Sequence, residues 1–134
     1  MRFHTAVNKF CWQAVLGQPL TVWRTALHQK RPYLSLGDAI DIFCFIIKNN
    51  IFDCQVYNIL TANLTVNDII NFNKKDIENI KIEYVDTEIM NQLSYEVSRK
   101  RIEKKGFAFK SSIEESISDT INLLRRAGKS NGKK

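Results

Sequence analysis

A chain of 134 residues with 44% hydrophobic and 25% charged side chains has the composition of one globular domain, which excludes a disordered chain and an array of domains. A domain of this length buries roughly two thirds of its unfolded surface, so it needs neither disulfides nor a metal to fold. The three cysteines, Cys11, Cys44 and Cys54, stand far apart with no CxxC spacing and only two histidines beside them, which argues against a zinc site and for a reducing compartment.

No apolar run reaches the roughly 18 to 20 residues that span a bilayer, and MRFHTAVNKF lacks the apolar core of a signal peptide. The expectation is a soluble, cytoplasmic protein with no membrane partner. The net charge of +6 sits at one end: residues 99–134 carry 11 Lys+Arg against 4 Asp+Glu, and the first 98 residues carry 9 against 10. No aromatic residue beyond Phe109 could stack a base there, so the excess reads as solvated helix and tail, not as a nucleic-acid-binding arm.

Along the chain, Phe3, Ala6, Val7, Phe10, Cys11, Ala14 and Val15 repeat at the helical period and Gly17 supplies a stop, predicting a helix over 3–16. Leu20–Trp23 reads as a strand and Tyr33–Leu36 as a second, with a basic loop Arg24–Arg31 between them. Asp38 then precedes AIDIFCFII, a run with almost no polar face. It predicts a helix capped by Asp38 and buried nearly all round, lying on a sheet with something above it or missing a partner.

CQVYNIL (54–60) reads as a buried strand, and Thr65 with Asp68 as a capping box opening a helix. KIEYV (81–85) alternates as a strand. Ser98 opens a short basic helix that Gly106 ends, and Ser112 with Glu115 opens another with Ile113, Ile117, Ile121 and Leu124 in one stripe. The order α-β-β-α-β-α-β-α-α implies an α/β domain over residues 1–127 with mainly parallel pairing, followed by a flexible basic tail, 128–134.

The five glycines never form GxGxxG, GxxxxGK[ST] or GxSxG, and the histidines have no neighbour at metal-ligand spacing. Nothing local suggests catalysis. One polar constellation stands out, Arg24, His28, Lys30 and Arg31 between strands whose ends carry Trp23 and Tyr33. An arginine fork can hold two phosphate oxygens and adjacent aromatic surface can receive a ring, although a solvated basic loop reads the same way. A second is Asn91, Gln92, Ser94 and Tyr95, which make either a binding loop or a turn leading to Ser98. Asn58 is either a turn former or a polar group aimed at a pocket.

Five segments in order, AVLGQPLTVW (14–23), KRPYLSLGDAI (30–40), VYNILTANLTVNDII (56–70), SYEVSRKRIEKKGF (94–107) and SSIEESISDTINLL (111–124), resemble the C-terminal, substrate-binding part of the NAD-dependent epimerase/dehydratase family, the extended short-chain dehydrogenases that modify nucleotide sugars. The resemblance covers nearly all of residues 3–126 and implies a small C-terminal α/β substrate-binding domain without the N-terminal Rossmann domain. It implies a diphosphate-holding role for Arg31 and base contacts at Leu20, Val22 and Trp23. Asp38 matches the second of the family's paired acidic residues.

The sequence also departs from the family pattern. Arg-Asp has become Arg31-Pro32, the first acidic residue has become Gly37, and the glycine after the VYN strand has become Leu60. The family's second diphosphate arginine is absent from DTEIMNQLSY, where Asn91 or Gln92 would substitute by hydrogen bonding. The glycine-rich turn and the Tyr-x-x-x-Lys pair are absent from the chain, and Tyr95 is followed four residues later by Arg99.

The resemblance therefore implies a nucleotide diphosphate sugar as ligand and NAD(P) as cofactor of the full-length enzyme only, with none bound by this chain alone. The chain would be inactive without a Rossmann half as partner, and its apolar helix would be exposed or covered by self-association. The alternative reading is a stand-alone binding or oligomerisation module without redox chemistry.

Overall fold

The computed structural model describes residues 5–86 and 94–130. The first helix, α1 (Ala6–Val15), ends in a Schellman turn, with Gln18 N–H bonded to Gln13 O at 2.9 Å, Gly17 N–H to Ala14 O at 3.1 Å, and Gly17 at φ +67°. The chain turns into β1 (Leu20–Trp23), which pairs in parallel with β4 (Ile82–Val85) in the register Leu20↔Ile82. Alternation sends Leu20 and Val22 into the core and leaves Thr21 and Trp23 on the other face. Gln13 covers the next edge, donating to Thr21 Oγ1 at 2.9 Å and accepting from Thr21 N–H at 3.4 Å.

A 3-10 turn (Arg24–Ala26) leads to β2 (Lys30–Tyr33), which runs antiparallel to β3 (Ala62–Thr65) with Arg31 opposite Leu64 and Pro32 opposite Asn63. The described strands thus form two two-stranded sheets, one parallel and one antiparallel, in place of the mainly parallel sheet expected. The second strand lies three residues earlier than the sequence suggests. Ser35 accepts from Asp38 N–H at 3.1 Å and starts α2 at Leu36, which uses up the end of the expected strand.

Asp38 is therefore not the cap of α2 (Leu36–Lys48). Fully buried, it sits in the first turn and ties down two other stretches of chain: Oδ1 accepts from the N–H groups of Lys110 and Ser111 at 3.0 and 3.1 Å, and Oδ2 from the Thr61 hydroxyl at 2.7 Å. Gly37 permits this approach, since a Cβ there would stand 2.7 Å from Ser111 Oγ.

The expected strand at 54–60 is irregular. Asn50 and Cys54 adopt left-handed backbone, and the carbonyls of the run go to arginine side chains where a strand would use a neighbour: Val56 O to Arg101, Leu60 O and Thr61 O to Arg99. The capping box forms as expected and opens α3 (Val66–Asp76), Asp68 bonding back to Thr65 N–H at 2.8 Å. A single basic turn, α4 (Lys100–Glu103), is stopped at Gly106 with φ +97°. Its cap position is Arg99, and Ser98 Oγ makes only a 3.5 Å contact to Lys100 N–H. The final helix α5 (Ile113–Ser130) continues through Gly128, and residues 131–134 of the expected tail lie outside the described residues.

Two clusters form the core. Phe10, Cys11 and Ala14 of α1, Leu20 and Val22 of β1, Ile69 and Ile70 of α3, and Ile113, Ile117 and Ile121 of α5 make the larger one. Each fully buried isoleucine contributes about 2 kcal/mol. The smaller joins Ile42 of α2 to Ile102 and Phe107, extended by edge-to-face contacts of Phe107 with Phe45 and Phe109 at 5.3 and 4.8 Å. The opposite face of α2 is uncovered: Leu36 is 76% exposed and Phe43 and Ile47 are each 68% exposed. Burial nearly all round is thus not achieved within this chain.

The Asp38 carboxyl is held below its ordinary value: burial opposes this, but the bonds from Thr61 and from the backbone of Lys110 and Ser111 outweigh it. Asp38→Ala leaves three part-buried donors without an acceptor and is expected to lower the unfolding free energy at pH 7 by about 3 kcal/mol, read by urea titration. For a depressed carboxyl, the stabilisation is complete above the ordinary carboxylate value and is lost as pH falls through the lower folded value. The gap between wild type and Asp38→Ala should close over that acid range. A gap independent of pH would show that the charge is not what holds the junction.

Candidate functional site

The basic constellation between β1 and β2 does not converge. Arg24 turns to the end of β4, 3.2 Å from Asp86 and over the Tyr84 ring, and Lys30 pairs with Glu96 at 2.5 Å. Arg31 is held beside a different ring, on the second sheet. Its Nη1 donates to Lys30 O at 2.9 Å, its Nη2 to Gln29 Oε1 at 3.2 Å, and its guanidinium lies 4.9 Å from the centroid of the Tyr95 ring.

The partner ring is delivered by the segment 94–99, which docks on the second sheet. Ser94 Oγ accepts from Lys30 N–H at 2.9 Å and Tyr95 N–H donates to Lys30 O at 3.3 Å. The Asn63 carboxamide donates to Val97 O and accepts from Val97 N–H, both at 3.0 Å. Arg99 fixes the end of the segment: Nη1 reaches Leu60 O at 3.0 Å and Thr61 O at 2.5 Å, Nε donates to Glu103 at 2.9 Å, and the plane stacks 4.2 Å from the Phe109 ring. These anchors escape sequence reading because an Arg or Asn bonded to distant backbone carries no local pattern.

Trp23 stands elsewhere, with Thr21, Lys9, Phe10 and Val66 around a cavity of about 190 Å³ on the outward face of β1. Of the three positions expected to contact a base, Leu20 and Val22 are buried in the core, and Trp23 alone presents its side chain on the outward face, next to Thr21. The structure therefore brings Arg31 and Tyr95 together and sets Trp23 apart with the β1 cavity. Asn91 and Gln92 lie outside the described residues. A larger groove of about 890 Å³ runs beside β2 between Tyr33, Leu36 and Ile40 on one side and Val7, Ile113 and Thr120 on the other.

Among the described residues no cluster of His, Cys, Asp or Glu could hold a metal ion, and no helix is long and apolar enough to cross a membrane. Burial pushes the Cys11 thiol up to about 12, so it is packing, not a nucleophile.

No protein-family model matches the chain. A stretch of 69 residues, 50% of the chain, is 36% identical to the chloroplastic UDP-sulfoquinovose synthase of Spinacia oleracea and spans 14% of that protein. The UDP-glucose 4-epimerase of Thermus thermophilus, solved with NAD, superposes with a TM-score of 0.71 over 91% of this chain and 40% of its own, at 16% identity. The GDP-mannoheptose C4 reductase of Campylobacter jejuni, solved with NADP, does so with a TM-score of 0.68 over 94% and 45%, at 15% identity.

The fold is that of part of an extended short-chain dehydrogenase. The chain spans less than half the length of the relatives it matches. Within this short-chain dehydrogenase fold, Arg99 anchors the C-terminal end of the 94–99 segment. Arg99→Ala is expected to cost about 2 kcal/mol, seen as a lowered melting temperature. Arg99→Lys should recover less than half of it, because an ammonium offers neither the fork nor the stacking plane. Full recovery by lysine would mean that charge alone is at work.

Proposed function

We propose that this chain is the nucleotide-sugar-binding portion of an NAD(P)-dependent sugar epimerase or dehydratase, completed by a Rossmann half on further polypeptide. The observation that carries the reading is Arg31, fixed by Gln29, the Lys30 carbonyl and the Tyr95 ring at the edge of a sheet in a fold shared with UDP-glucose 4-epimerase. The guanidinium would exchange the neutral Gln29 acceptor for diphosphate oxygens, a charge-assisted and stronger bond. The base would lie in the β1 cavity on Thr21 and Trp23, and Asn91 and Gln92 would add neutral donors to the diphosphate.

In this reading NAD(P) belongs to the Rossmann half and not to this chain. A dinucleotide diphosphate needs open N–H groups at a strand-to-helix junction, whereas the β3–α3 junction is closed by its own Asp68. The chain's part in the reaction is thus to bind and orient the sugar nucleotide, and it is inactive alone. The bare apolar face of α2 supports a missing half. Self-association through that face is the second reading, in which the chain is a binding module only. The exposed free thiols of Cys44 and Cys54 fit a reducing, cytoplasmic setting.

Titration with uridine or thymidine diphosphate should shift the Trp23 indole and Arg31 guanidinium resonances. Arg31→Ala should weaken binding about tenfold or more. Unmoved resonances at millimolar nucleotide, or equal binding by Arg31→Ala, would remove this reading and leave the binding module.

A further inference from the structure

Resting on the reading of Arg31 and Tyr95 as the diphosphate-holding pair, we propose that Asn63 is the positioning residue of that site. Its carboxamide sets the register of the 94–99 segment on the second sheet and so places the Tyr95 ring over the Arg31 guanidinium.

Asn63 stands on β3 directly opposite Pro32 of β2. Its side chain does what a strand's main chain would do, giving one bond to Val97 O and taking one from Val97 N–H, each at 3.0 Å. Residues 94–96 are also tied to Lys30 of β2: its N–H donates to Ser94 Oγ at 2.9 Å, its carbonyl accepts from Tyr95 N–H at 3.3 Å, and its ammonium pairs with Glu96, both side chains exposed and the pair's worth correspondingly small. Arg99 holds the far end but is four residues from Tyr95, and the bond from Asn58 to Ser98 O is long at 3.4 Å.

Val97 is two residues from Tyr95 in this segment, so where Val97 is held limits where the Tyr95 ring can lie. The two-point bond fixes Val97 in place, and it acts together with the bonds at Lys30. The residue type matters as well. A carboxamide has both a donor and an acceptor in one plane, a carboxylate would repel the Val97 carbonyl, and serine is too short to make both bonds.

The test compares the 134-residue chain with Asn63→Ser and Asn63→Asp. It reads nuclear Overhauser contacts between the Tyr95 ring and the Arg31 side chain, and affinities for uridine and uridine diphosphate. Asn63→Ser should lose the contacts and weaken uridine diphosphate about tenfold while leaving uridine within about twofold, and Asn63→Asp should fall between. The double variant with Arg31→Ala should bind no more weakly than Arg31→Ala alone, because both changes remove the same interaction. A merely structural role would lower both affinities together and add to the Arg31→Ala effect. Persistence of the Tyr95 contacts in Asn63→Ser would overturn the proposal. Failure of the wild type to bind uridine diphosphate removes the functional reading by itself, and the contacts still decide for or against Asn63.

Discussion

The carboxylate of Asp38 is where three separate stretches of chain are joined. Ser35 N–H donates to the Thr61 hydroxyl, the hydroxyl donates to Asp38, Asp38 N–H donates to Ser35 Oγ, and the other carboxylate oxygen takes two backbone donors from residues 110 and 111. Burying a carboxylate costs several kcal/mol unless such bonds replace its water, and the first turn of α2 adds the favourable end of the helix dipole. The ring therefore sets the exit from β2, the approach to β3 and the start of α5 at once. Everything later argued for Arg31 depends on β2 being held there.

The sequence is informative where the fold is local. The Thr65–Asp68 box, the Gly17 stop and the four-residue stripe of α5 are each decided within one or two turns of chain, and each is present. Tertiary bonding decided the rest. The VYNIL run has strand composition, yet Arg99 and Arg101 occupy the carbonyls that a neighbouring strand would use. Conversely Ala62–Thr65 is a strand with little β-forming composition, because β2 lies alongside it. The helix after Ser35 was legible as a helix, while its cap was displaced to Ser35 because Asp38 is committed to partners 23 and 72 residues away.

The candidate site shows the same division. Arg31 could be singled out from sequence because an arginine between aromatic residues is a recognisable chemistry. That Arg24 and Lys30 would turn away to Asp86 and Glu96 could not be read, since both partners lie more than 60 residues on. Nor could the core-facing alternation of Leu20 and Val22, which pack with residues of α1, α3 and α5 in the larger core cluster.

The outer face of α2 is apolar and bare. Leu36, Ile40, Phe43 and Ile47 fall at helical spacing on one side, while Ile42, Phe45 and Ile46 on the other pack against Ile102 and Phe107. A helix written apolar on both sides is written for two neighbours, and this chain supplies one. Its bare face borders the groove whose opposite end is formed by Pro32 and Tyr33, next to Arg31 in sequence. In the proposed function, the polypeptide that covers α2 would also lie against that groove, two residues in sequence from Arg31 at its Tyr33 end.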